Sequence, residues 1–277
     1  MASAVVVLGS GYAGTGALRR LQAELGADAD VTWISDVDHH LVLHESHRCI
    51  REPAVVDHVT IPVEEIAAPT TEFVNDTVTR IDVDEQAVHR EGGDPIEYDY
   101  LVVGLGSRTA FFGIEGLREH AHTLKSADDA IAIHRSVTET AKSASATDPA
   151  RVVVGGAGLS GIQSAGELAE LRDESGLPID IVLVEGLDEI LPGNDPGLQR
   201  ALRARLSDRD VSIRTGEFVG AVDDDTVYLG EEDELAYDVL VWTGGITGRE
   251  AVERSEVGQD DRNHRIHAGR DFRTGAE

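Results

Sequence analysis

Apolar positions fall along the chain in short runs, each followed by a glycine cluster and then by an apolar repeat of helical period. The first run, Val5–Leu8, precedes "GSGYAG" and a stretch in which Leu18, Leu21 and Leu25 recur on one face. This predicts a strand, a tight turn and a helix from Gly14 to Leu25, with Gly26 as its stop. The pattern returns at "VVVGGAGLSG". Its helix runs from Gly161 to Arg172 with Ile162, Ala165 and Ala169 in register, closed by Gly176 and Pro178. Each helix leads into a further strand, Asp30–Ser35 and Ile179–Glu185, so both segments read as βαβ units with parallel strands.

A second echo follows. "YDYLVVGLGS" (Tyr98–Ser107) and "YDVLVWTGG" (Tyr237–Gly245) are both strands ending in a glycine turn. The polar, turn-punctuated stretches before them, 71–93 and 211–232, alternate apolar and polar residues and predict small antiparallel strands. The fold class is therefore α/β: two Rossmann-like domains, each a βαβ with a β-meander before its last strand. Trp33 and Trp242 fall inside strand-like runs and are assigned to packing.

Composition narrows the setting. With 277 residues, 41% of them hydrophobic, the chain can build a full core. Acidic residues number 52 against 24 basic ones, a formal net charge of −28, and Lys125 and Lys142 are the only lysines. Self-repulsion at this charge destabilises a compact state in dilute buffer, and about 1 M salt, with a Debye length of about 3 Å, screens most of it. A halophilic protein adapted to a salt-rich cytoplasm is expected. Nucleic acid and anionic membrane surfaces are poor partners for such a surface. No run approaches the roughly 18 apolar residues of an integral membrane segment, and no basic n-region opens the chain, so a cytoplasmic location is expected. A single cysteine, Cys49, excludes an intramolecular disulfide and a two-cysteine redox centre within the chain.

The candidate chemistry lies in the glycine clusters. Gly9, Gly11 and Gly14 fit G-x-G-x-x-G, and Gly156, Gly158 and Gly161 fit it again. The first glycine makes the turn, the second lets backbone approach a pyrophosphate, and the third packs helix on strand. The helix N-terminus then offers its N–H groups to phosphate. An acid about 20 residues onward holds a ribose hydroxyl. Glu185 fills that place in the second unit, where a carboxylate favours NAD(H) over a 2′-phosphorylated cofactor. In the first unit Ser35 stands there with Asp36 next to it, and the ribose role is assigned to Asp36.

These segments resemble a known family. "VVVLGSGYAG", "VTWISDVDHHLVLHES", the run from Glu97 to Val137 with its "FFGIEG", and "VVVGGAGLSGIQSAGELAEL" are similar to the FAD- and NAD-binding segments of the pyridine nucleotide-disulfide oxidoreductase superfamily. Within it, type II NADH dehydrogenases (NADH:quinone oxidoreductases) are the most alike. The resemblance implies FAD along Gly9, Gly11, Tyr12, Ala13 and Gly14, with Asp36, Gly104 and Gly106 beside it. It implies NAD(H) along Gly156, Gly158, Leu159, Ser160, Gly161 and Glu185, with Gly244 and Gly245 near the nicotinamide. It also implies an FAD-binding domain over 1–117, an NAD(H)-binding domain inserted over 118–247, and an incomplete return to the first over 248–277. Hydride would pass from NADH to flavin, and electrons on to a quinone or another small acceptor. A homodimer is compatible with this, as is a full-length form peripheral to the inner face of the membrane.

Three departures stand out. Gln163 occupies the position where the family often has Glu, near the flavin–nicotinamide contact; it can orient a ligand but cannot act as a carboxylate. "GLGS" replaces the usual Ala-Thr-Gly-Ser. "RIHAGRDFRTGAE" resembles the stretch just before the family's Gly-Asp motif, so the resemblance implies that this motif and the C-terminal acceptor region are lacking. An NADH oxidase, a ferredoxin-type reductase and a non-catalytic dinucleotide-binding redox module remain open. A sulfide:quinone oxidoreductase would need a second cysteine. "HHLVLHESH" offers His39, His40, His44 and His47, and is read as a flavin-side loop rather than a metal site. Cys49, outside the Ser-Phe-x-x-Cys context of single-cysteine oxidases, is read as a packed thiol.

Overall fold

The computed structural model describes residues 2–26, 28–230 and 233–274. The chain forms two compact units: Met1–Val42 with Thr60–Arg108 and Ile246–Glu277, and Leu43–Val59 with Thr109–Gly245.

In the first unit, β1 (Ser3–Leu8), α1 (Tyr12–Leu25) and β2 (Ala29–Ser35) form the βαβ, and β3 (Thr71–Asn75) and β4 (Tyr100–Val103) complete the sheet. Its strand order is β3-β2-β1-β4, all parallel, with Leu8 opposite both Ile34 and Val103. Alternate residues of β1 serve the two faces, as strand geometry requires. Val5 and Val7 pack with Leu18 of α1 and with Trp33, while Val6 and Leu8 pack with Ile34, Ile81 and Val88. Leu18 is fully buried, and Leu21 and Leu25 pack beside it, so the helical face read from the sequence is the one that meets the sheet. Burying Leu18 stabilises the unit by about 2 kcal/mol.

The second unit repeats this plan. It contains α2 (Ala127–Ala141), β5 (Ala150–Gly155), α3 (Leu159–Ser175), β6 (Ile179–Glu185), β7 (Val211–Thr215) and β8 (Val239–Trp242). Its parallel order is β7-β6-β5-β8, extended past β8 by the two-residue strand Ala121–His122. The correspondence runs strand by strand: β3 with β7, β2 with β6, β1 with β5, β4 with β8. Each unit adds a three-stranded antiparallel meander, Val78–Asp82, Ala87–Arg90 and Ile96–Glu97 in the first and Val219–Val222, Thr226–Leu229 and Asp233–Ala236 in the second.

Two expectations are corrected. Thr71–Asn75 and Val211–Thr215 were both expected among the small antiparallel strands, but each is the outer strand of a parallel sheet, paired to β2 and β6. Alternating apolar residues encode a half-buried strand, not the direction of its neighbour. Both helices also begin two residues early, at Tyr12 and Leu159, because their glycine turns close at Gly11 and Gly158.

The excursion 43–59 packs with the second unit, although the chain on either side of it belongs to the first. Its short helix, Arg48–Arg51, buries Cys49 and Ile50. The Ile50 carbonyl accepts from His134 Nδ1 at 2.8 Å, and Arg51 Nε lies 3.0 Å from Glu167. Cys49 is fully inaccessible, and burial pushes its thiol pKa up, which disfavours the reactive thiolate.

His47 sits 3.9 Å from Glu167 in this packing. Burial lowers the His47 pKa below 6.5, outweighing Glu45, and it raises that of Glu167. A depressed histidine pKa contributes stability that is present above the unfolded value and lost as pH falls through the folded one. Protonation of His47 below about pH 6.5 should therefore loosen the excursion. His47→Gln is expected to flatten the fall in Tm as pH drops below about 6.5. A parallel fall in both proteins would refute this.

Candidate dinucleotide sites

The two glycine loops have nearly the same geometry. Gly9 and Gly156 lie in the left-handed region at φ +88° and +89°. Gly11 and Gly158 precede the helices at φ −72°, ψ −174° and φ −71°, ψ −171°. A β-carbon at Gly14 would stand 1.8 Å from the Gly9 carbonyl oxygen, and one at Gly161 would stand 1.8 Å from the Gly156 carbonyl oxygen. Neither could be accommodated without moving backbone. By contrast, no atom lies within 4 Å of a β-carbon position at Gly11 or Gly158. The first and third glycines thus meet protein backbone and the second borders open space, which is the division of roles that a pyrophosphate cradle needs.

Matching hydrogen bonds hold both turns. Gly9 N–H donates to Ile34 O at 2.7 Å and Gly156 N–H to Val184 O at 2.8 Å. Gly104 N–H donates to Leu8 O at 2.9 Å and Thr243 N–H to Gly155 O at 2.8 Å. No side chain caps either helix, so the first-turn amides of Tyr12, Ala13 and Gly14, and of Leu159, Ser160 and Gly161, begin the positive end of each helix dipole. Tyr12 and Leu159 occupy equivalent first positions and are exposed.

The residues after β2 and β6 differ. Glu185 accepts from Ala157 N–H at 2.8 Å and from Leu187 N–H at 3.0 Å, one bond per carboxylate oxygen. Each oxygen keeps a further lone pair for a ribose hydroxyl. The sheet register places Ser35 opposite this position in the first unit. Its hydroxyl lies 3.0 Å from Ser10 Oγ and 3.4 Å from the Val37 amide, an uncharged version of the same brace. Asp36 is solvent-exposed and pairs with Arg249, Nη1 to Oδ2, at 3.5 Å.

The remaining assigned glycines pack around these loops. A β-carbon at Gly104 would lie 2.7 Å from the Gly14 nitrogen, while Gly106 turns at φ +71° with open space beside it. Gly244 lies against the Trp242 ring and Gly245 against the ring of Phe112. Phe112 is exposed and itself takes a left-handed φ of +54°. Gln163, half-buried two positions after Gly161, makes no side-chain hydrogen bond to another described residue.

Several supporting residues were not apparent in the sequence. The Trp33 indole N–H donates to Gly9 O at 3.0 Å, fastening the first turn from below. Trp242 donates to Ala110 O at 2.8 Å. Thr243 Oγ1 lies 3.0 and 2.8 Å from the carbonyl oxygens of Gly155 and Gly156. Buried His40 donates from Nδ1 to Ser10 O at 2.7 Å and meets the Tyr12 ring edge-on at 4.8 Å. Trp33 and Trp242 do pack as expected, in β2 and at the end of β8, and their polar tips add these bonds, which no local sequence pattern signals. His40 and His44 lie in different elements, a strand and a one-turn 3-10 helix. A cluster that could suit a metal, Asp82, Glu85 and His89, already holds a cation: Arg80 Nη2 lies 2.8 Å from Asp82 and 2.9 Å from His89 Nε2.

Comparison with known proteins agrees with this fold. The pyridine nucleotide-disulphide oxidoreductase family model matches residues 3–276. A type II NADH:quinone oxidoreductase from Staphylococcus saprophyticus is 29% identical over 272 residues, covering 92% of this chain and 67% of the relative. The structure of NDH2 from Plasmodium falciparum in complex with NADH superposes with a TM-score of 0.84 at 19% identity, over 92% of this chain and 57% of that one. The sulfide:quinone oxidoreductase from Aquifex aeolicus gives a TM-score of 0.82 at 21% identity, over 99% of this chain and 66% of that one. The chain thus spans about two thirds or less of the length of these proteins. It belongs to the pyridine nucleotide-disulphide oxidoreductases, a family of FAD- and NAD(H)-dependent enzymes.

Proposed function

We propose that the first unit holds FAD along Gly9, Gly11, Tyr12, Ala13, Gly14, Asp36, Gly104 and Gly106. The second holds NAD(H) along Gly156, Gly158, Leu159, Ser160, Gly161, Glu185, Gly244 and Gly245, as a domain inserted in the first. The chain then works as an NADH dehydrogenase that delivers electrons to a quinone-like acceptor. The observation that carries this is the duplicated cradle: two loops with the same dihedral angles and close contacts, each opening onto free space at its second glycine. When bound, the two cofactors supply the redox chemistry, a hydride passing from nicotinamide to flavin. The protein's share is to bind and align. First-turn amides meet the diphosphates, Glu185 accepts from a ribose, and Gln163 orients by hydrogen bonding without donating or taking a proton. The type II relatives favour the quinone acceptor. Among the described residues no helix is long and apolar enough to cross a membrane.

The test is a visible spectrum of the chain purified in high KCl, followed by anaerobic NADH. A flavin band that bleaches is expected. No flavin in any condition would overturn the assignment, and bound flavin that NADH leaves oxidised would favour a non-catalytic module. Loss of the Glu185 charge should erode cofactor choice. Glu185→Gln is expected to lower the NADH:NADPH ratio of kcat/KM by roughly 10- to 100-fold, since a charge-assisted hydrogen bond is worth about 1.5–3 kcal/mol. An unchanged ratio would remove Glu185 from that role.

A further inference from the structure

The first loop lacks a basic side chain of its own, yet a dinucleotide brings two negative charges to a chain that already carries −28. A cation does bind residues beside it. Arg249 Nε donates to Leu105 O at 3.1 Å, and its Nη1 lies 3.5 Å from Asp36. Both partners flank the glycine turn. The Leu105 Cα is 3.2 Å from the β-carbon position of Gly9, and Asp36 follows Ser35, whose hydroxyl touches Ser10. Leu105 follows β4 and Asp36 follows β2, on opposite sides of β1. The guanidinium therefore crosses the carboxyl end of β1, where a doubly wound sheet receives its ligand.

Its donors are only partly used. A guanidinium has five N–H bonds in a fixed fork, and Arg249 Nη2 has no partner among the described residues. The side chain is 44% exposed, and so is much of Asp36, so their ion pair holds the fork loosely and yields readily. The nearby Arg108 is different: its nitrogens are committed to Gly248 O, Glu250 and Glu253.

We propose that Arg249 is an anion-anchoring residue of the first dinucleotide site, its guanidinium fork holding the diphosphate of FAD with Leu105 O and Asp36 setting the approach. This rests on the assignment of FAD to the first unit. Arg suits the role because planar, bidentate recognition of phosphate needs two parallel N–H bonds, which Lys cannot supply. The residue lies in the returning segment 246–274, so that segment contributes directly to cofactor retention.

The experiment compares FAD dissociation constants, from flavin fluorescence, for the wild-type chain, Arg249→Met and Arg249→Lys over a range of KCl. NADH fluorescence titration serves as the second-unit control. Arg249→Met is expected to weaken FAD roughly 10- to 100-fold, with Arg249→Lys in between. The deficit should shrink as KCl rises from about 0.1 to about 1 M, because the lost contact is ionic. NADH affinity should stay unchanged. FAD bound equally by all three proteins would overturn the role of Arg249 alone. A wild-type chain that binds no FAD would overturn the site assignment and this proposal with it. If Arg249 served only to tether the returning segment, Tm would fall in the variants and the FAD deficit would not depend on salt. That pattern, too, would refute the proposal.

Discussion

Alanine at Gly161 is expected to abolish NADH-driven reduction of the flavin while leaving the flavin bound. The added methyl would stand 1.8 Å from the Gly156 carbonyl oxygen and 2.8 Å from Thr243 Oγ1. The oxygen is backbone, so the turn or the helix must move. Either shift displaces the first-turn amides from the diphosphate they are placed to bind. A displacement of about 1 Å at such a site costs on the order of 100-fold in rate, and kcat/KM for NADH should fall at least that far. The mirror substitution, Gly14→Ala, meets the Gly9 carbonyl at the same 1.8 Å and should lose flavin instead. Gly166→Ala is the control. It lies in the same helix as Gly161 with nothing within 4 Å, and alanine there should stabilise the helix by about 0.5–1 kcal/mol. Wild-type kcat/KM in Gly161→Ala would show that the second loop does not hold NAD(H).

Thermal stability is expected to rise by at least about 10 °C between about 0.1 and about 2 M KCl. For a chain of this size that corresponds to roughly 3–5 kcal/mol. Its formal net charge is −28, and the acids are spread along the whole sequence rather than gathered in a tail. Salt shortens the range of their mutual repulsion far more than it weakens the buried packing of Val6, Leu8, Ile34 and their neighbours. Surface pairs such as Arg20–Glu24 and Lys142–Glu139 lose strength in the same salt, but exposed pairs contribute little to begin with. Differential scanning calorimetry across the KCl series measures the balance. A melting temperature that stays flat or falls would remove salt adaptation as the reason for the acidic composition.

Much of the candidate site was legible because it depends on local rules. A glycine is read directly where the turn demands φ near +90°, and a third glycine where helix and strand must touch. Leu18 and Ala165 were placed in the core by period alone, and both are fully buried. What escaped involves residues whose role comes from how strands and loops meet in space rather than from their spacing along the chain. Trp33 reaches the Gly9 carbonyl across the sheet, and Thr243 reaches Gly155 and Gly156 from 87 or 88 residues away. Arg249 has a similar origin: it lies 144 residues from Leu105, and no local pattern marks it.

Local rules were enough to read the repeat, the two glycine turns and the strand that ends at Glu185. These follow from steric and periodic constraints within some 30 residues, which leave few conformations open. Tertiary structure alone decided which unit received the segment 43–59, that Thr71–Asn75 and Val211–Thr215 run parallel to their neighbours, and that Ser35 braces the first loop in place of a carboxylate. Apolar alternation says that a strand will be buried but not against what. Burial energy is nearly indifferent to the identity of the partner, so pairing is settled only when the whole chain closes its cores together.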